Sequence, residues 1–177
     1  MALPLELPTA RLHLRRLRAD DLDQLVALDA DPEVMRFITG GQPNPRELYE
    51  AELLPRMLAW DDLPYGFLAA HEGGRFVGWF HLRPSVAEPA ILELGYRLRR
   101  EAWGRGLATE GSRALLAHAF DRLGQPAVDA CAHPGNAASI GVMRRCGMTS
   151  AGTFIHPRAH IEVVRYRIDR DAWRARP

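Results

Sequence analysis

The sequence predicts an α/β fold in one domain, residues 1–177, with a mixed, mostly antiparallel sheet of about six to seven strands flanked by about four helices. Three observations carry that expectation. Hydrophobic spacing switches between period two and period 3.6 in the order strand, helix, helix, three strands, helix, strand, helix, two strands. One strand runs through a glycine-rich loop directly into a long helix, which marks a parallel piece within the sheet. A chain of 177 residues with 47% hydrophobic and 25% charged content builds one core of ordinary size and hardly two.

Residues 11–18 set Leu12 and Leu14 against Arg and His, the alternation of a strand. Asp20 and Asp21 open a helix with Leu22, Leu25, Val26 and Leu28 on one face, and Asp31-Pro32 stops it. Residues 45–60 read as a second helix with Leu48, Leu54 and Met57 inward, bent or broken at Pro55. Residues 65–71 and 75–82 form strands around a Gly73-Gly74 turn, and 91–98 form another. The long helix spans 104–123, with Leu107, Leu115, Leu116, Ala119 and Phe120 apolar along one side. A strand at 127–132, a short helix at 136–146 ended by Gly147, and strands at 148–155 and 162–168 complete the pattern.

Composition excludes several classes. Net charge is +1, so no global field favours nucleic acid or an anionic membrane, and any anion site is local. The 23 basic residues are all arginine, which excludes a Schiff-base or P-loop lysine. Residues 1–7 lack the basic and apolar regions of a signal peptide, and no run approaches the ~18 to 20 apolar residues of a membrane span. A cytoplasmic, soluble protein with reduced Cys131 and Cys146 is the expectation.

The informative segment is the loop and helix start at 103–111, Trp-Gly-Arg-Gly-Leu-Ala-Thr-Glu-Gly. Glycines permit positive φ and close approach of a ligand to the backbone. The first amides of a helix lack intrahelical partners and sit at its positive dipole end, so the segment is an anion nest suited to a diphosphate. The plainer alternative is a tight strand-to-helix turn. Arg97, Arg99, Arg100 and Arg105 are candidate counter-charges. Neither GxxxxGK[ST] nor GxGxxG is met, because Thr109 stands in the third glycine's place.

The stretch ELGYRLRREAWGRGLATEGSRALLAHAF resembles the acetyl-CoA motif of the GNAT superfamily of N-acetyltransferases, particularly its RimJ/RimL-like branch. HPGNAASIGVMRRCGMTSAGTF is similar to that branch's second signature, and TARLHLRRLRADDLDQLVALDADPEVMRFI to its opening. The resemblance implies a GNAT fold and acetyl-CoA as co-substrate. It implies diphosphate contacts from the amides of Gly104, Arg105, Gly106, Leu107 and Ala108, with the Thr109 hydroxyl added. Glu101 departs from the family's Arg or Gln. The family's thioester sits where two strands splay, which are 91–98 and 127–132 here, with an amide among Leu94, Gly95 and Tyr96 on its oxygen.

Acetyl transfer needs positioning, oxyanion donors and proton management. Glu93 is the first choice for general base, with burial expected to raise its pKa; a solvent-facing strand residue is the alternative. By its place in the signature, Ser139 is the candidate donor to the departing thiolate, and Asn136 contacts the pantetheine arm while capping its helix. Tyr96 either lines the thioester pocket or packs in the core, and His81 either faces substrate or packs. Trp60, Asp61, Asp62 and Tyr65 form an acidic-aromatic cluster able to attract a cationic amine, or a solvated helix end. His156 and His160 share i, i+4 spacing, but Pro157 opposes a helix and no third ligand is evident, so no metal is expected.

The branch resemblance implies a protein or peptide N-terminal α-amine as acceptor. An amino acid, polyamine or antibiotic amine, a longer acyl donor, and a non-catalytic acyl-CoA-binding module are the alternatives. Neither nucleic acid nor membrane is an expected partner, and the chain is read as a monomer or homodimer.

Overall fold

The computed structural model describes residues 5–176, so part of the N-terminal stretch read for a signal peptide lies outside the described residues. The strands are β1 (Glu6–Pro8), β2 (Leu12–Arg16), β3 (Gly66–Glu72), β4 (Arg75–Pro84), β5 (Leu92–Leu98), β6 (Ala127–Ala132), β7 (Thr149–Ile155) and β8 (Glu162–Asp169). They form one 8-stranded sheet in the order β1-β2-β3-β4-β5-β6-β8-β7. Only β5 and β6 pair in parallel; the other neighbours are antiparallel.

The helices are α1 (Leu22–Asp29), α2 (Pro32–Met35), α3 (Arg46–Leu48), α4 (Leu54–Leu58), α5 (Leu107–Ala117), α6 (Ala137–Arg145) and α7 (Arg170–Arg174). Both counts exceed the expectation, for local reasons. The three residues of β1 are too few to show alternation, and the five of α7 too few to show a helical period. Asp31-Pro32 ends α1 and also starts α2, because the Asp31 carboxylate accepts the Glu33 N–H at 3.0 Å and Pro32 occupies a first-turn position. Pro55 does not break its helix. Its missing N–H is absorbed by a π turn (Tyr49–Leu53) between α3 and α4, in which the Leu54 N–H reaches the Tyr49 carbonyl.

The sheet separates two cores. On one face α5 and α6 pack Leu107, Leu115, Leu116, Val142 and Met143 against Leu14, Phe80, Leu94 and Leu98. On the other, α1 to α4 pack Leu25, Leu28, Tyr49 and Met57 against Ala69, Phe76 and Trp79. Strand alternation therefore sends Leu92, Leu94, Tyr96 and Leu98 to the α5 face, and Glu93, Gly95 and Arg97 to the α1 face.

A buried ion pair ties the α1 face together. Asp29, 0% exposed at the end of α1, accepts from the Tyr49 hydroxyl and from Asn44 Nδ2, each at 2.7 Å. Arg97 Nη1 on β5 donates to both of its oxygens, at 2.5 and 2.7 Å, and its guanidinium also lies over Trp79. One carboxylate thus joins α1, the π turn, the loop before α3, and β5. Removing one member of such a set leaves an unpaired buried charge. Asp29→Ala should lower the unfolding free energy by about 3–5 kcal/mol in urea denaturation, whereas a paired Asp29→Leu, Arg97→Met replacement should lose much less.

Candidate functional site

The parallel pair β5/β6 holds only two register pairs, Leu92 with Val128 and Glu93 with Asp129, while β5 runs on to Leu98 and β6 to Ala132. Past Glu93 the strands part, so the β6-facing edge of β5 has no ladder partner, as expected from the two predicted strands. Gly104 and Gly106 follow β5 at φ 69° and 80°, turning the chain into α5. The loop lies open: Trp103 is 45% exposed, and a Cβ on Gly104 would meet no atom within 4 Å. The first intrahelical bond runs from the Glu110 N–H to the Gly106 carbonyl at 3.0 Å. Among the described residues, the amides of Gly104, Arg105, Gly106, Leu107, Ala108 and Thr109 donate to no protein acceptor. These are the outward amides a diphosphate requires.

The four flanking arginines, read as candidate counter-charges, are all engaged with protein groups. Arg97 is committed to Asp29, Arg99 donates to Gln24, Arg100 pairs with Asp31, and Arg105 forms a bidentate pair with Glu72 at 2.7 and 2.8 Å. Each has an acceptor within reach, which sequence adjacency to the loop does not reveal. Glu101, the departure from the family pattern, pairs with Arg75 on the surface. The loop is instead braced from β1–β2. Glu110 accepts from the Thr9 hydroxyl at 2.6 Å and from the Arg11 main chain and Nε at 2.7 Å, while Arg11 Nη1 donates to the Arg105 carbonyl. The expected free Thr109 hydroxyl is engaged as well, accepting from Arg145 Nε at 3.3 Å. Arg145, exposed and in no ion pair among the described residues, is the cation beside the nest that sequence reasoning missed. Only the packing of α6 on α5 brings it there.

On the α5 face of the gap, Tyr96 and Ser139 meet. Their hydroxyls lie 3.2 Å apart, joining β5 to the first turn of α6. Burial raises the Tyr96 pKa, so its hydroxyl stays protonated at neutral pH. Asn136 caps α6, accepting the Ser139 N–H at 3.1 Å, which leaves its side-chain amide donors available. The Leu94 side chain is buried in the core, so only its main chain borders the gap.

On the α1 face, Glu93 is 3% exposed and so not a solvent-facing strand residue. Its pKa is lowered rather than raised. Burial alone would push it up, but the His81 imidazole at 3.8 Å and the Arg83 guanidinium, donating at 2.8 Å, hold the carboxylate below its ordinary range. The expectation failed because β4 brings Arg83 opposite Glu93, a register invisible to local sequence. The Cys131 thiol donates weakly to Glu93 at 3.9 Å, and burial together with that carboxylate pushes it up to about 12.

The Trp60–Tyr65 cluster is organised by Arg16, whose guanidinium donates to the Trp60, Leu63 and Tyr65 carbonyls. His156 Nδ1 accepts from the Arg158 and Ala159 amides and shapes the turn between β7 and β8. Cys146 is buried against α5 and is free, as is Cys131. No helix among the described residues is long and apolar enough to cross a membrane.

Residues 11–149 match the family described as the acetyltransferase (GNAT) domain. The chain is 34% identical to the FsC-acetyl coenzyme A-N(2)-transacetylase of Aspergillus fumigatus, over 94% of this chain and 77% of that protein. An acetyltransferase from Agrobacterium tumefaciens superposes with a TM-score of 0.77 at 26% identity, over 95% of both chains. The aminoglycoside acetyltransferase AAC(6')-Ib in complex with coenzyme A has the same fold, with a TM-score of 0.79 at 20% identity over 94% of this chain and 99% of that one.

Two outcomes follow from the geometry. Gly106→Ala disfavours the left-handed conformation by about 1–2 kcal/mol; the free loop then relaxes out of it and must regain it to present its amides, so coenzyme A affinity by calorimetry should fall about tenfold. Because Glu93 is more acidic folded than unfolded, its stabilising contribution is present at neutral pH and is lost as pH falls through the carboxylate range. The melting temperature of Glu93→Gln should therefore drop less than that of the wild type between about pH 6 and pH 3.

Proposed function

Because the chain belongs to the GNAT acetyltransferase family, and is thereby an acyl-CoA N-acyltransferase, we propose that its acceptor is an α-amine or another amine of comparably low pKa, acetylated by direct attack within a ternary complex. Acetyl-CoA supplies the activated acyl group. The observation that carries the reading is the loss of pairing between β5 and β6 past Glu93, with different groups gathered on the two faces of the sheet beside it. The unpartnered amides and the Tyr96–Ser139 pair lie on the α5 side of it, and the Glu93 cluster on the α1 side. The acyl donor enters from α5 and α6, and the amine meets it from α1.

The chain's residues divide the work. Amides of the 104–109 segment hold the diphosphate, Arg145 adds a cation beside it, and Asn136 offers its side-chain amide to the pantetheine arm. The free edge of β5 at Leu94, Gly95 and Tyr96 supplies a main-chain donor to the thioester oxygen as charge develops there. Ser139, backed by the protonated Tyr96 hydroxyl, donates to the leaving thiolate. Glu93 provides the negative charge at the proton-accepting end.

Acceptor class follows from basicity. An α-amine with pKa near 7.7–8.0 is about 10% neutral at pH 7, whereas a lysine amine is under about 0.1% neutral. A site whose carboxylate is already neutralised by Arg83 serves the first far better. Resemblance to the RimJ/RimL-like branch favours a peptide or protein N-terminus. The Aspergillus relative, by its N(2)-transacetylase activity, favours a small molecule.

The test is release of coenzyme A thiol from acetyl-CoA against a panel of peptides, amino acids, polyamines and aminoglycosides, with products identified by mass spectrometry. Turnover at pH 7 should favour α-amines over ε-amines by at least about tenfold. Ser139→Ala should cut kcat about 100-fold and leave acetyl-CoA affinity within twofold. A thermal shift with acetyl-CoA but no thiol release from any amine overturns the reading in favour of a binding module.

A further inference from the structure

If the chain acetylates an amine as proposed above, some group on the α1 face must take the amine's proton, and Glu93 is poorly placed to do so alone. One oxygen accepts from Arg83 at 2.8 Å and the other faces Cys131 at 3.9 Å. A carboxylate so committed to a cation is a weak proton acceptor.

His81, on the neighbouring strand β4, has the opposite character. It is 7% exposed, yet among the described residues neither ring nitrogen has a hydrogen-bond partner. Buried polar atoms are nearly always partnered, and an exception calls for a ligand or a chemical role. Packing fixes the ring. It lies 5.8 Å from Trp79 in a stacked arrangement and 5.0 Å from Phe67. It also lies over Gly95, where a Cβ would come within 2.4 Å of Cε1 and 2.7 Å of Nε2. Gly95 belongs to the part of β5 whose other edge β6 has left, the stretch offered to the thioester. The imidazole therefore sits against the main chain where the acyl carbon would be held.

The charges facing His81 suit a ring that is neutral at rest and cationic in transit. From its own strand comes Arg83, paired with Glu93; from β5 come Glu93 itself and Arg97, which is paired with Asp29. From β3, Phe67 brings no charge. Nε2 lies 3.8 Å from Glu93 Oε1, too long for a hydrogen bond but within ion-pair range once the ring is protonated.

We propose that His81 is the catalytic proton acceptor for the attacking amine, and that Glu93 is a positioning carboxylate that stabilises the imidazolium. The amine lone pair forms the C–N bond to the thioester carbonyl carbon, and the resulting ammonium passes one proton to Nε2. Collapse of the intermediate breaks the C–S bond, and the thiolate takes a proton from the Tyr96–Ser139 hydroxyl pair, which is refilled from water. The imidazolium then returns its proton to solvent, closing the balance.

The experiment is the pH profile of kcat/KM for the wild type, His81→Gln and Glu93→Gln, with acetyl-CoA saturating and the best acceptor amine expressed as the concentration of its neutral form, so that the amine's own ionisation drops out of the acid limb. His81→Gln should lower kcat about 100-fold or more, remove the acid limb, and leave the KM for acetyl-CoA within twofold. Glu93→Gln should stay active with its acid limb moved to lower pH, since loss of the carboxylate destabilises the imidazolium. The proposal is overturned if Glu93→Gln abolishes both turnover and limb, or if His81→Gln keeps both. Should His81→Gln fail to fold, the behaviour of Glu93→Gln decides the matter alone. Absence of any wild-type turnover overturns the acetyl-transfer reading and this proposal together.

Discussion

The structure depends on a strand pair that pairs and then stops. β5 and β6 share the rungs at Leu92 and Glu93 and diverge beyond them, while antiparallel ladders on both outer sides hold each strand in its half of the sheet. Strands inside a sheet ordinarily satisfy every main-chain donor and acceptor, and an inner edge left open gives up hydrogen bonds that water or a ligand then supplies. The parallel connection makes the opening possible, because the crossover through α5 needs no tight hairpin to bring the far ends together.

Its two sides differ in kind. The α5 side is apolar core interrupted by a hydroxyl pair and by a helix start with exposed amides. The α1 side carries several buried charges: Asp29 with Arg97, Glu93 with Arg83, and Asp129, which accepts from Ser85, Arg165 and Arg167. Buried ion pairs contribute little net stability but become costly when broken, so they hold geometry rather than add to the total. Asp129 lies directly across the last rung from Glu93, so the point where the strands part is anchored by charge on both strands. That rigidity suits a site in which an acyl carbon and an amine nitrogen must meet within a few tenths of an ångström.

The glycine loop gains its rigidity differently. Its two positive-φ residues provide the turn, but the brace comes from β1–β2 through Arg11, Thr9 and Glu110, residues about a hundred positions apart in sequence. Arg105 is drawn to Glu72 on β3 in the same way. The arginines beside the loop in the sequence are thus engaged with the scaffold, while Arg145, contributed by α6, reaches Thr109 at the start of α5.

The sequence by itself determined the order of the longer elements, the bounds of the strand at Ala127–Ala132 to the residue, the αL glycines ahead of α5, and the cap at Asn136. These are legible because alternation, helical period, positive φ and capping are set by residues within a few positions of one another. It also placed Glu93 and Ser139 on the elements that flank the gap. Only the tertiary structure decided what those residues are next to. It put Arg83 against Glu93, reversing the expected direction of its pKa, and left His81 without a partner over Gly95. It also engaged the four arginines flanking the loop in ion pairs and polar contacts, and joined Tyr96 to Ser139 across two elements. The reason is physical: protonation and pairing depend on charges within a few ångströms in space, and sheet register and helix packing, not chain order, set those distances.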